Sequence, residues 1–128
     1  MEPQQPYAAA AGDSPAKAEL RQVIQPVGDI ARAVDFYSRA FGMPVRFVDG
    51  DRFAALDAGG AVLALAAEGE NIAGHSAPAF KVPDLERFLA SFPSADGTII
   101  RRPEDGPHER RVVVADPWGN RIVVYATQ

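Results

Sequence analysis

The sequence VGDIARAVDFYSRAFGM, residues 27–43, decides how the rest of the chain is interpreted. Its apolar residues recur at the spacing that places them on one face of a helix. Asp29 stands before them as an N-cap, and Gly42 comes after them where a left-handed C-cap residue belongs. The stretch therefore predicts an amphipathic helix with both ends marked. Its apolar face comprises Ile30, Ala33, Val34, Tyr37, Ala40 and Phe41.

Strand patterns flank this helix on both sides. The preceding segment, Leu20–Val27, predicts a strand. Turn signals at Asp49-Gly50-Asp51 and Ala58-Gly59-Gly60 divide the segment after the helix into short strands. These three predicted strands are Val45–Asp49, Arg52–Asp57 and Ala61–Ala67. The order is one strand, one helix and three strands.

The same order returns after a loop at Glu68–Ser76. Asp84 is a second N-cap, and Pro93 ends the helical pattern that begins there. The apolar face of this second helix carries Leu85, Phe88, Leu89 and Phe92. The strands predicted around it are Ala77–Val82, Gly97–Arg102, Arg110–Ala115 and Arg121–Ala126, with a loop at Pro103–Pro107.

Two internal matches indicate a duplication. The residues from Val27 to Ile30 match those from Val82 to Leu85, and Asp57-x-x-Gly60 matches Asp116-x-x-Gly119 at almost the same separation. Such a repeat predicts two copies of one βαβββ module. We predict an α+β fold in which two tandem βαβββ modules, residues 19–67 and 77–127, form a curved mixed sheet around a cavity. Cavities of this kind bind ligands.

The first eighteen residues differ from the rest. Residues 1–18 are rich in Pro, Ala, Gln and Gly, and such a segment has little apolar surface to bury. We therefore expect a flexible N-terminal tail over residues 1–18 and a single domain over residues 19–128.

Composition excludes several classes of function. Of 128 residues, 47% are hydrophobic and 23% are charged, as in an ordinary globular protein. Cysteine is absent, which excludes disulfide scaffolds, zinc fingers and thiol catalysis. The net charge of −4 argues against a nucleic-acid surface, and no apolar run is long enough to cross a bilayer. We expect a cytoplasmic protein that binds neither nucleic acid nor a membrane.

The duplicated module, with residues 27–43 at its start and the sequence DPWGNRI (Asp116–Ile122) near its end, resembles the vicinal oxygen chelate superfamily. This superfamily contains glyoxalase I, the bleomycin resistance proteins, the fosfomycin resistance proteins and the extradiol dioxygenases. The resemblance covers Glu19 to Tyr125. In the metal-dependent members, the first and last strands of each module supply the metal ligands. The resemblance places those four positions at Gln22, Ala64, Ala77 and Val123.

Only one of these four residues offers a metal donor. The amide oxygen of Gln22 is neutral, whereas a divalent cation needs three or four N, O or S donors, usually with negative charge among them. We therefore expect no metal and no cofactor. Residues that share a strand face with these positions offer one alternative. That displaced metal site would comprise Gln22, Glu68, His75 and Tyr125.

Eight residues are candidates for lining the cavity. Trp118 either stacks on a planar ligand or packs on the turn that contains it, and Tyr125 lies either at the cavity mouth or in the core. His108 is either a general base or a solvated side chain, and the nearby arginines either attract an anion or pair with neighbouring acids. The candidate set is Gln22, Ile24, Phe53, Ala64, Ala77, Trp118, Val123 and Tyr125.

Three functions are consistent with these residues. The first is a metal-free small-molecule-binding protein similar to the bleomycin resistance proteins, which sequesters an antibiotic or another bulky, partly aromatic ligand. The second is a superfamily enzyme of the lyase, isomerase or dioxygenase type, acting through the displaced metal site or through metal-free acid–base chemistry. The third is an accessory domain with a filled cavity. Exposed strand edges predict a homodimer.

Overall fold

The computed structural model describes residues 17–128, so the tail expected over residues 1–18 lies almost entirely outside the described residues. Eight strands and two α-helices are arranged along the chain in two similar series. The first series is β1 (Glu19–Pro26), α1 (Ile30–Phe41), β2 (Val45–Asp49), β3 (Phe53–Asp57) and β4 (Val62–Ala66). The second is β5 (Ala77–Lys81), α2 (Leu85–Ser91), a 3₁₀ helix (Phe92–Ala95), β6 (Thr98–Asp105), β7 (Glu109–Ala115) and β8 (Arg121–Thr127).

All eight strands belong to one sheet, in the order β2-β3-β4-β1-β5-β8-β7-β6. The first strands of the two modules pair antiparallel at its centre, with Gln22 opposite Ala79 and Ile24 opposite Ala77. Within each module the first strand is parallel to the last, so β1 pairs with β4 and β5 with β8. The predicted α+β fold of two βαβββ modules in a curved mixed sheet is confirmed.

Side-chain caps begin both helices where the sequence predicts them. Asp29 accepts a hydrogen bond from the backbone N–H of Arg32 at 3.0 Å, and Asp84 accepts one from Arg87 at 3.1 Å. Each bond satisfies a backbone donor that the first helical turn leaves free. Gly42 ends α1 at φ +68°, a conformation that glycine adopts without steric cost.

The two faces of the sheet are packed differently. On the face that we call the helix face, α1 and α2 cover two separate apolar clusters. On the opposite face, which we call the open face, no helix packs among the described residues. A third cluster lies there, built largely from small residues. The open face is therefore the part of the sheet where a cavity can form.

Two details differ from the sequence prediction. Ala40 and Phe41 are exposed and lie outside the apolar cluster under α1, and the Phe41 ring stacks on Tyr37 with centroids 5.8 Å apart. Strand β6 continues through Pro103 to Asp105, where a loop is predicted. Pro103 is tolerated there because β6 is an edge strand, which leaves one side of its backbone without a partner strand.

Among residues 17–128, no helix has the length and apolar character that crossing a membrane requires.

Burial predicts which leucine stabilises the fold. Leu65 in β4 is 0% exposed and packs under α1, whereas Leu20 in β1 is 60% exposed. Leu65→Ala should lower the free energy of unfolding by about 2–5 kcal/mol, because it leaves a cavity in the core. The matched Leu20→Ala should cost less than about 1 kcal/mol. Urea unfolding measures both values, and equal losses would contradict this packing.

Candidate functional site

A cavity of about 690 Å³ opens on the open face. This volume lies within the range of about 300–1,000 Å³ that is typical of small-molecule sites. Its lining comes from both modules and from the loop that joins them. The residues around it are Gln22, Ile24, Phe47, Val48, Asp49, Arg52, Phe53, Glu70, Ile72, Pro107, His108, Glu109, Arg111, Val123 and Tyr125.

The period of the strands brings the central lining residues together. Gln22 and Ile24 lie two positions apart on β1, and Val123 and Tyr125 lie two apart on β8. Alternate residues of a strand point to the same face, so each pair enters the same side of the sheet. β5 lies between these two strands, and its Ala79 pairs with Gln22 on one side and with Val123 on the other. Because the side chain of Ala79 is small, it leaves space above the sheet.

One wall of the cavity is aromatic. The rings of Phe47 in β2 and Phe53 in β3 stack with centroids 5.9 Å apart and planes inclined by 28°. Phe47 is 54% exposed although it lines the cavity. An exposed ring at a cavity wall offers a surface on which a planar ligand can stack.

Three polar side chains in the lining have no hydrogen-bond partner within residues 17–128. They are the amide of Gln22, the phenol of Tyr125 and the imidazole of His108. Together they provide donors and acceptors around an otherwise apolar surface. Each remains available for a hydrogen bond to a ligand.

Partial burial affects the pKa of the Tyr125 hydroxyl. Desolvation raises the pKa of Tyr125 above its ordinary value of 10.0. Glu109 and Glu19 raise it further, and Arg21 acts in the opposite direction. The phenol therefore keeps its proton to a higher pH than an exposed tyrosine does, and in the protonated form it is able to donate a hydrogen bond.

Charged side chains form a network along the rim. Arg111 in β7 is only 14% exposed, and its Nη1 lies 3.2 Å from Glu70 Oε2 and 3.4 Å from Glu109 Oε1. Glu70 belongs to the loop between the modules, and its Oε1 lies 3.8 Å from Arg52 in the first module. Arg52 also pairs with Asp49. Glu70 thus connects an arginine of each module across the cavity.

The residues at the four ligand positions of the superfamily do not fit a metal ion. Ala64 and Ala77 are fully buried in a cluster that includes Ala73 from the inter-module loop. Both alanines are candidates for lining the cavity, but this cluster fills the space above them. Gln22 and Val123 line the cavity, but Val123 has no donor atom. Within residues 17–128, no group of three or more His, Asp or Glu side chains is arranged to hold a metal.

The displaced metal site is not assembled either. Gln22 and Tyr125 both line the cavity, whereas Glu68 and His75 are exposed in the inter-module loop and are not part of the lining. Two donors from a neutral amide and a protonated phenol do not hold a divalent cation against water.

Trp118 does not line the cavity. It is 83% exposed on the turn between β7 and β8. Asp116 organises this turn, since its Oδ1 accepts hydrogen bonds from the backbone N–H groups of Trp118 at 3.0 Å and Asn120 at 2.9 Å. Gly119 adopts φ +88° in the same turn. The turn geometry therefore explains the DPWGN motif without a ligand.

The lining also contains residues outside the candidate set. Phe47 could have been found from its strand. It lies on β2 two positions before Asp49, which pairs with Phe53, so strand alternation places Phe47 on the same face as that pair. Ile72 and Glu70 lie in the inter-module loop, whose path over the sheet has no local sequence signal. Of the arginines around the β6–β7 loop, Arg101, Arg110 and Arg111 each pair with acidic side chains.

Comparison with known proteins identifies the class. The family model described as the Glyoxalase/Bleomycin resistance protein/Dioxygenase superfamily matches residues 19–124. The chain belongs to this superfamily, as the duplicated motif indicates.

One sequence relative and two solved structures extend this result. An uncharacterized protein of Mycolicibacterium smegmatis is 35% identical over 109 residues, which are 84% of this chain and 93% of that protein. A Legionella pneumophila structure described as an NAD-dependent benzaldehyde dehydrogenase superposes with a TM-score of 0.72 at 20% identity, covering 84% of this chain and 98% of that one. Methylmalonyl-CoA epimerase from Mycobacterium tuberculosis superposes with a TM-score of 0.65 at 21% identity, covering 85% and 87%. At these identities the two structures share the fold alone.

The raised pKa of Tyr125 predicts a late tyrosine titration. Ultraviolet absorbance of phenolate should show one tyrosine that ionises above pH 10, and Tyr125→Phe should remove that step. Because the pKa of Tyr125 is raised by folding, the folded state binds the phenol proton more tightly than the unfolded state does. The resulting contribution to the free energy of unfolding is complete below the unfolded pKa and is lost as the pH rises through the folded pKa. If the tyrosine that Tyr125→Phe removes ionises at pH 10 or below, the result would contradict the desolvation of the Tyr125 phenol.

Proposed function

We propose that this chain binds a bulky, partly aromatic small molecule in the open-face cavity without a metal ion, and that it sequesters this molecule and does not transform it. One observation carries the proposal: a cavity of about 690 Å³ combines an exposed aromatic wall with three polar side chains that have no described partner. An antibiotic is one candidate class of ligand.

The lining suggests how such a ligand is held. The Phe47 and Phe53 pair provides a stacking surface on one side, and Ile24 and Val123 provide apolar contact at the centre. Stacking on an aromatic side chain contributes about 0.5–1.5 kcal/mol beyond the area buried. The Tyr125 hydroxyl is able to donate and to accept a hydrogen bond with the ligand. Because such a bond adds little net free energy of binding, Tyr125 orients the ligand more than it raises the affinity.

Two alternatives have less support. Acid–base catalysis needs a positioned base, and within residues 17–128 no carboxylate contacts the His108 ring to orient it. The protonated phenol of Tyr125 is a donor and not a base. An accessory domain with a filled cavity does not account for the open volume or for the exposed Phe47 ring.

We also propose that the chain forms a homodimer. Both edges of the sheet carry exposed apolar side chains, Val45 and Val48 on β2 and Ile99 and Ile100 on β6. Exposed apolar edge strands favour association. Sedimentation velocity at micromolar concentration should give twice the chain mass of 13.7 kDa, and a single species at the chain mass would contradict the dimer.

Phe47→Ala should weaken ligand binding while the fold is retained. The neutral fluorescent probe N-phenylnaphthylamine should bind with 1:1 stoichiometry, and loss of the exposed ring should raise its Kd about tenfold or more. Phe36→Ala is the matched control, because Phe36 is 56% exposed on α1 and does not line the cavity. Fluorescence titration measures both. Equal effects of the two substitutions, or no saturable binding, would refute the proposal.

Chelation should leave the protein unchanged. Dialysis against EDTA should alter neither the Tm nor the Kd for N-phenylnaphthylamine, because the cavity offers no group of metal ligands among the described residues. Elemental analysis of the protein purified without chelator should find less than about one metal ion in ten chains. A near-stoichiometric metal whose removal lowers the Tm would overturn the metal-free proposal.

A further inference from the structure

The charged groups of the lining are not balanced. Three carboxylates line the cavity, Asp49, Glu70 and Glu109, against two guanidinium groups, Arg52 and Arg111. These five groups leave one negative charge in excess. The net charge of the whole chain, −4, has the same sign as this excess.

Both guanidinium groups of the lining already lie beside carboxylates. Arg111 contacts Glu70 and Glu109, and its Nε lies 3.6 Å from Glu104 Oε1 on the neighbouring strand β6. Arg52 contacts Asp49 and Glu70. An anionic ligand at either guanidinium would be repelled by these neighbouring carboxylates or would displace one of them. Glu70 is only 19% exposed, so displacing it would leave a poorly hydrated charge without a partner.

The aromatic wall has the opposite preference. The face of a phenyl ring carries negative potential, which attracts a cation placed over it. Phe47 and Asp49 lie two positions apart on β2, and both line the cavity. The Asp49 side chain is 53% exposed although its Oδ2 pairs with Arg52, so a planar ligand that stacks on Phe47 and carries an amine can reach this carboxylate as well.

We propose that the cavity selects planar aromatic amines by charge: it binds positively charged ones most tightly, neutral ones less tightly, and rejects anionic ones. This selectivity rests on the proposed function, because it concerns the ligand of the same cavity.

Three probes that share a naphthylamine group test the selectivity. Naphthylethylenediamine is a cation at neutral pH, N-phenylnaphthylamine is neutral and anilinonaphthalene sulfonate is an anion. Isothermal titration at low salt should give a Kd for the cation at least about tenfold below that for the anion, with the neutral probe between them. Raising the salt concentration should reduce this difference.

Removal of the bridging carboxylate should relax the selectivity. Glu70→Gln frees part of the hydrogen-bonding capacity of Arg52 and Arg111, and it should tighten binding of anilinonaphthalene sulfonate at least about fivefold. Glu86→Gln is the matched control, because it makes the same change in net charge at a residue that pairs with Arg110 outside the cavity. It should change each Kd less than about twofold.

A second pair of variants is independent of the partly buried glutamate. Asp49→Asn removes an exposed carboxylate that lines the cavity, and Asp35→Asn removes one on α1 that pairs with Arg39. Asp49→Asn should weaken binding of the cation at least about threefold, and Asp35→Asn should not.

The outcomes separate the two proposals. If no probe binds saturably, the proposed function fails. If the probes bind and the anion binds as tightly as the cation, the selectivity fails while the binding function stands. If Glu70→Gln does not fold, as shown by its thermal unfolding, the Asp49→Asn comparison decides the selectivity. Equal effects of Asp49→Asn and Asp35→Asn would then overturn it.

Discussion

The antiparallel pairing of β1 with β5 is the constraint on which the rest of the structure depends. It joins two four-stranded modules into one sheet, with Gln22 opposite Ala79 and Ile24 opposite Ala77. Because α1 and α2 both cover the same face, the other face is left to the lining of a cavity. The same pairing brings β8 within one strand of β1, so residues from both modules meet above the sheet.

Small apolar side chains on the open face determine where the cavity lies. At Ala64 and Ala77, small side chains are buried in a cluster that includes Ala73 of the inter-module loop. The cavity therefore lies towards the Phe47 and Phe53 wall and Arg111, and of the four positions that the resemblance implies it includes only Gln22 and Val123. Glu70 links the two modules across that rim through ion pairs. In the proposed function, shape, stacking and unpartnered polar groups hold the ligand.

The sequence predicts the elements that have local signals. The caps at Asp29 and Asp84 and the helix end at Gly42 are found because capping chemistry lies within a few residues. The structure places five of the eight candidate lining residues around the cavity, because strand alternation orders Gln22, Ile24, Phe53, Val123 and Tyr125. Of the other three candidates, Trp118 is exposed on a turn, whereas long-range packing buries Ala64 and Ala77. Long-range packing also brings Glu70 and Ile72 into the lining, and neither packing effect has a local signal.

Isoleucine methyl resonances give the most direct test of a ligand on the open face. The chain has six isoleucines, of which Ile24 and Ile72 line the cavity, whereas Ile30, Ile99, Ile100 and Ile122 do not. Titration of a methyl-labelled sample with N-phenylnaphthylamine, monitored by two-dimensional NMR, should shift the δ1 methyl resonances of Ile24 and Ile72 and leave the other four nearly unchanged. Shifts at Ile30 or at the edge residues Ile99 and Ile100, with Ile24 and Ile72 unmoved, would contradict the account.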